Sequence, residues 1–214
     1  MNRVALIHAL AHSVAPINAE MARAWPDCER MNLLDDSLSA DLARSGRGLD
    51  AAMHQRFEAL AAYAESTGAQ AILFTCSAFG PCIDAVAARR PGMPILKPNE
   101  AMVAEAAAIG RRVGLIASFG PTLVSMPSEF PPGVEVVPRL AEGAMEALDQ
   151  GDLAGHDACV TQAALWLQQQ GCDVIALAQF SMARAQATVR QALDLPVLTT
   201  PASAVRVLRQ RLGA

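Results

Sequence analysis

The sequence predicts an α/β fold built as two similar halves, each a parallel sheet covered by helices, with an active-site cleft between them. Three observations predict it. Apolar runs of strand length alternate with longer helix-period segments, the pattern of parallel sheets with helical cover. Hydrophobic residues make up 52% of the 214-residue chain and aromatics only 4%, so the core is aliphatic and alanine-rich. Finally, the chain resembles itself. Val4-Ala5-Leu6-Ile7 matches Val113-Gly114-Leu115-Ile116 at an offset of 109, Ala71–Cys76 matches Val174–Gln179 at 103, and Pro94-Ile95-Leu96 matches Pro196-Val197-Leu198 at 102.

Along the chain, Arg3–Leu10 and Glu29–Leu34 read as the first two strands. Leu49–Ser66 has helical spacing, with Gly68 placed as a stop. Gln70–Thr75 is a buried strand, Phe79–Arg90 a helix, Pro94–Leu96 a short strand, and Asn99–Ile109 a helix capped by Asn99. In the second half, Arg112–Ser118 and Val134–Pro138 are strands, and Leu153–Gln170 is a helix ended by Gly171. Asp173–Ala178 is a strand, followed by a helix to about Leu193, the strand Pro196–Thr199 and the helix Ala202–Leu212. The division expected is residues 1–98 with the C-terminal helix 200–214 as the first lobe, and 99–199 as the second.

Composition narrows the function classes. Lys plus Arg number 17 against 21 Asp plus Glu, a formal net charge of −4. No basic patch calls for nucleic acid. No stretch approaches the ~20 apolar residues of a membrane span, and histidines interrupt the apolar N-terminal run before it reaches signal-peptide length. The five cysteines, Cys28, Cys76, Cys82, Cys159 and Cys172, form no C-x-x-C pair and no zinc-ligand spacing. They read as reduced thiols of a cytoplasmic protein. G-x-G-x-x-G, G-x-S-x-G and H-E-x-x-H are all absent, so no cofactor and no metal is expected. Many α/β enzymes of this size pair through helices, which leaves room for a homodimer or higher homo-oligomer.

Cys76 is the sharpest candidate for chemistry. It stands where the strand Ala71–Thr75 gives way to Ser77-Ala78-Phe79-Gly80-Pro81, at a strand's carboxyl end and beside a helix N-terminus. The free N–H groups there favour a thiolate, which can act as general base or nucleophile. Cys82 and the other three cysteines read as packing. In parallel α/β sheets ligands bind outside the carboxyl ends of the strands. Two facing halves would therefore put Cys76 and Gln179 on opposite walls of one cleft. Ser118 and Thr122, at the end of another buried strand, together with Ser181 and Ser77, offer hydroxyls and N–H groups for a carboxylate or phosphate, although Ser and Thr are also ordinary N-caps. His8, expected in the mouth of the cleft, reads equally as an acid or base and as a hydrogen-bonded structural histidine. His12, His54 and His156 look solvated or set on helix faces. Asp35, Asp36 and Ser37 read as caps of a helix starting near Leu38.

These residues resemble the aspartate/glutamate/hydantoin racemase superfamily. The resemblance rests on the two α/β halves, the Thr75-Cys76-Ser77-Ala78 turn after the third strand, and Gly114-Leu115-Ile116-Ala117-Ser118 with Thr122 opening the second half. It implies two flavodoxin-like lobes, no cofactor, and two cysteines flanking the substrate's α-carbon, one from each lobe. Cys76 matches the first-lobe cysteine of the family's Cys-Asn-Thr motif, with Ser77 and Ala78 in place of Asn and Thr. Ser118 and Thr122 match the substrate-carboxylate hydroxyls. The second-lobe Gly-Cys-Thr motif aligns with Ala178-Gln179-Phe180, so the second cysteine is missing. An amide has no usable acid or base function at neutral pH but can hydrogen-bond a carboxylate, carbonyl or enolate-like oxygen. The expected activity is a cofactor-independent racemase-like isomerase acting on a small carboxylate. Cys76 is base or nucleophile, His8 an auxiliary acid, and Ser77, Ala78, Ser118, Thr122, Gln179 and Ser181 line the substrate. A decarboxylase of a malonate-type acid and a non-catalytic small-acid binding protein remain as alternatives.

Overall fold

The computed structural model describes residues 2–214. The chain forms two compact units, residues 1–98 with 204–214, and residues 99–203. Each unit holds a four-stranded, all-parallel sheet.

In the first unit the strands are β1 (Arg3–His8), β2 (Glu29–Leu34), β3 (Ala71–Phe74) and β4 (Ile95–Leu96), in the order β2-β1-β3-β4. The second unit repeats this with β5 (Arg112–Ala117), β6 (Glu135–Leu140), β7 (Val174–Leu177) and β8 (Val197–Thr199), in the order β6-β5-β7-β8. The central strands β1, β3, β5 and β7 are buried along almost their whole length, as parallel strands covered on both faces must be. The edge strand β2 instead alternates between exposed and half-buried residues. Pro138 falls in the edge strand β6, where a missing N–H costs the sheet little.

The repeat extends to register and contacts. Val4 pairs with Ala71, and Val113 pairs with Val174. Arg3 lies opposite Glu29 and is ion-paired to it, and Arg112 has the same relation to Glu135. Helix α3 (Ala51–Ser66) is capped by Asp50, whose carboxylate accepts from the Met53 N–H at 3.0 Å. Helix α8 (Leu153–Gln169) is capped in the same way by Asp152 on Gly155 at 2.9 Å. Both helices end at a glycine of positive φ, Gly68 (82°) and Gly171 (76°). There the next N–H returns to the helix, Ala69 to the Ala64 carbonyl and Cys172 to that of Leu167.

Helices cover both faces of the second sheet. Ile116, Ile175, Leu177 and Val197 pack with Val160, Ala163, Ala164 and Leu167 of α8. Val113, Leu115, Val174 and Ala176 pack with Met102, Val103 and Ala106 of α5 (Glu100–Ile109). Gly114 is part of this fit, because a Cβ there would lie 2.9 Å from Leu167 Cδ1. In the first unit Ile7, Ile72 and Phe74 pack with Phe57 and Ala61 of α3 and with Phe79, Cys82 and Ile83.

Several elements depart from expectation. Helices α1 (Val14–Ala24) and α7 (Ala144–Asp149) have no counterpart in the sequence reading. In α1 only Ile17 and Met21 are buried, a stripe too narrow to stand out beside Pro16 and Asn18. Asn99 precedes α5 but does not cap it. Its backbone is already helical (φ −104°, ψ −18°) and its side chain makes no capping bond, since that reach needs an extended N-cap residue. Of the Asp35-Asp36-Ser37 run, Asp35 does the local work, accepting from the Ser37 N–H at 3.2 Å at the start of α2 (Ser37–Ser45).

Candidate active site

In the first unit the site is built at the carboxyl end of β3. Thr75 and Cys76 continue the strand direction, Cys76 with an extended backbone (φ −125°, ψ 120°). A 3-10 turn at Ser77–Phe79 then leads into α4 (Gly80–Ala88). Ser77 and Ala78 are exposed and Cys76 is half-buried. Beneath the turn, Phe79 is held by Phe57 at 4.9 Å between ring centroids, and Phe57 also stacks on Phe74 at 5.4 Å.

Two groups act to lower the Cys76 thiol pKa, the Ala78 backbone N–H and the Ser39 hydroxyl on α2. Both favour the thiolate. Burial outweighs them, however, and pushes the Cys76 thiol above its ordinary value. The expectation of a depressed thiol is therefore corrected. The tight turn after Cys76 brings a single amide to bear against a largely desolvated sulfur.

Ser39 is the residue that sequence reasoning missed. It lies 37 positions upstream of Cys76 and reaches the sulfur only through packing of α2, so no local pattern could reveal it. Its hydroxyl donates to the Ala9 carbonyl at 3.1 Å and also favours the Cys76 thiolate. Replacing Ser39 with alanine should slow iodoacetamide alkylation of Cys76 near neutral pH by about three- to tenfold, the worth of one hydrogen bond, with little change in thermal stability. An unchanged rate would show that the hydroxyl stays on Ala9.

His8 ends β1 but does not stand in an open mouth. It is 0% exposed. Its Nδ1 lies 2.9 Å from Thr75 Oγ1 and 3.2 Å from Ser13 Oγ, and its Nε2 lies 3.0 Å from Asn32 Oδ1. Both ring nitrogens are thus engaged, and burial holds the imidazole below its ordinary pKa, against the opposing pull of Asn32. The geometry is that of a neutral structural histidine locking the strand ends next to Cys76. His156, expected to be solvated or set on a helix face, is on a helix but not solvated. It is fully buried on α8, with Nδ1 2.9 Å from Asp157 Oδ1. His12 is exposed and His54 half-buried. All five cysteines are free. Burial raises Cys28, Cys82 and Cys172, Cys28 to about 11.

In the second unit the equivalent strand ends carry polar groups of a different kind. Ser118 comes directly after β5, and Gln179 lies just past the end of β7. The Gln179 side-chain oxygen accepts from the Ser118 N–H at 2.6 Å and from the Ser118 hydroxyl at 3.0 Å. Thr122 is buried in the first turn of α6 (Gly120–Ser125), and Ser181 is half-buried in the 3-10 turn Phe180–Ala185. Among the described residues no group of three His, Cys, Asp or Glu is placed to hold a metal ion. None of their helices is long and apolar enough to cross a membrane.

Comparison with known proteins puts a family to this architecture. An aspartate racemase homologue from Pyrococcus horikoshii OT3 superposes with a TM-score of 0.75 at 16% identity, over 100% of each chain. Allantoin racemase from Klebsiella pneumoniae gives 0.70 at 16% identity, over 100% of this chain and 88% of the other. A glycine-to-cysteine variant of arylmalonate decarboxylase in a sulfate-associated form gives 0.71 at 19% identity, over 99% and 94%. At such identities these likenesses speak for the fold alone. No curated protein matches the chain in sequence. The family model described as Asp/Glu/Hydantoin racemase matches residues 13–208, a span that includes β2 to β8 and both candidate strand-end clusters. The chain therefore belongs to the Asp/Glu/hydantoin racemase family.

Proposed function

We infer that this protein is a cofactor-independent isomerase acting on a small carboxylate, with Cys76 as its proton-transfer base. The observation that carries this reading is the half-buried Cys76 at the end of β3, where the sequence resembles the family's first-lobe cysteine motif and the Ala78 N–H and Ser39 hydroxyl favour the thiolate. A desolvated sulfur of raised pKa is less often ionised at neutral pH, but once ionised it is the stronger base. The weakly acidic hydrogen beside a carboxylate needs such a base. As the thiolate removes that hydrogen, the bonding pair moves into the carboxylate, and hydrogen-bond donors aimed at its oxygens stabilise the developing charge. In this reading Ser77 beside Cys76 in the first unit, and Thr122, Gln179 and Ser181 in the second, are the polar groups able to bind a carboxylate.

One observation favours a second chemistry on the same base. Gln179, which the family resemblance aligns with the second-lobe cysteine, cannot return a proton. A one-sided reaction, such as loss of carbon dioxide from a malonate-type acid followed by protonation from the Cys76 thiol, needs only one sulfur. Proton NMR in deuterium oxide separates the readings. The protein would be incubated with amino acids, hydantoins and malonates. Loss of the α-hydrogen signal without fragmentation supports the isomerase, and release of carbon dioxide supports the lyase. A ligand that raises the melting temperature without either change would leave a binding protein and overturn both.

A further inference from the structure

The Ser118–Gln179 contact fixes more than a hydrogen bond. A backbone N–H can only donate, so the Gln179 atom 2.6 Å from the Ser118 nitrogen must be the carbonyl oxygen Oε1. The Ser118 hydroxyl donates to the same oxygen at 3.0 Å. The backbone is built for this. Ile116 pairs with Leu177 in the β5–β7 ladder, and the Ala178 N–H continues it to the Ile116 carbonyl at 2.8 Å. Residues 118 and 179 therefore leave the sheet side by side. Both donors that a carboxylate would seek at Ser118 are taken by a neutral acceptor within the protein. Half-buried Gln179 is left with its amide nitrogen and two N–H bonds to offer.

We propose that Ser118 is a positioning residue rather than a carboxylate ligand. It clamps the Gln179 side chain by its oxygen, and the carboxylate-binding donor of this unit is Gln179 Nε2. The inference rests on the reading of the protein as one that binds a small carboxylate, and it deepens that reading. An oriented N–H pair can recognise negative oxygen but has no proton to transfer. The substrates that fit are those with a carboxylate or an imide carbonyl to present to that amide.

Malonate titrated calorimetrically into the full chain tests this, in both the unsubstituted protein and a Cys76→Ala background. Gln179→Ala should weaken binding about tenfold or more, the cost of a lost bond to a charged group. Gln179→Glu should weaken it further, because one oxygen stays clamped while the other brings negative charge toward the anion. Ser118→Ala should have a smaller effect, since its backbone N–H still holds Oε1, and Ser118→Thr should restore binding. Hydrogen exchange at the Ser118 amide should be slow in the unsubstituted and Gln179→Glu chains and fast in Gln179→Ala. The proposal is overturned if Gln179→Ala binds malonate as well or better while Ser118→Ala loses it, or if the unsubstituted chain does not bind malonate. Gln179-dependent binding without turnover would fail the isomerase reading and leave this one standing. Cys76-dependent turnover with unaltered binding in the Gln179 variants would do the reverse.

Discussion

Cys76→Ala should abolish turnover of the proposed carboxylate substrate, with kcat falling by about two to four orders of magnitude or more, the contribution of a positioned proton-transfer group. The fold survives, because Cys76 is only half-buried and alanine removes a single atom from the rim of the core. Steady-state kinetics beside a thermal melt give the result, and full activity in a folded Cys76→Ala chain would end the thiolate reading. The unsubstituted chain should carry a pH signature of the same sulfur. Burial raises the thiol above the ordinary cysteine value of 9.0, so the active thiolate is scarce at neutral pH and grows as pH rises. Both kcat/KM and the rate of iodoacetamide alkylation should climb through the weakly alkaline range and continue past the point where an exposed cysteine levels off. A plateau below that point would mean that the Ala78 amide and the Ser39 hydroxyl outweigh desolvation.

Phe57→Ala should be the most damaging core change. Phe57 is 2% exposed and contacts both Phe74 on β3 and Phe79 in the turn after Cys76. Removing a buried ring leaves a cavity and costs about 3–5 kcal/mol. For a chain of this size that lowers the melting temperature by roughly 6–20 °C. The lost contact also frees Phe79, on which the Ser77–Phe79 turn rests, so activity should fall at temperatures where the variant is still folded. Phe57→Leu keeps most of the volume and should recover most of the stability. An Ala variant with an unshifted melt would mean that neighbouring side chains close the gap.

The fold was legible because its signals are local and repeated. Val4–Ile7 and Val113–Ala117 are unbroken apolar runs, and Gly68 and Gly171 end their helices where a left-handed residue is needed. Helix α1 was not legible, since two buried residues make a weak stripe. Cys76 and Gln179 could be singled out as strand-end residues, since a polar residue closing a buried apolar run is visible in one dimension. Their surroundings were not. Ser39 reaches the sulfur across the fold, the imidazole of His8 is sealed by Ser13, Asn32 and Thr75, and the oxygen of Gln179 is held by Ser118, 61 residues earlier. The sign of the Cys76 shift depends on desolvation, which a sequence does not display.

The assignment of Ala204–Ala214 to the first unit has a consequence for biosynthesis. Helix α10 (Thr200–Arg211) buries Val205 and Leu208, and Arg209 donates to the Ala24 carbonyl at 2.7 Å. The ribosome delivers this segment only after all of residues 99–203. The half that emerges first therefore waits, short of one covering helix, while the later half already has every strand it needs. The half that holds Cys76 is thus the last to be finished during vectorial synthesis, and a stop codon near position 203 would cripple the portion of the protein farthest from it in sequence.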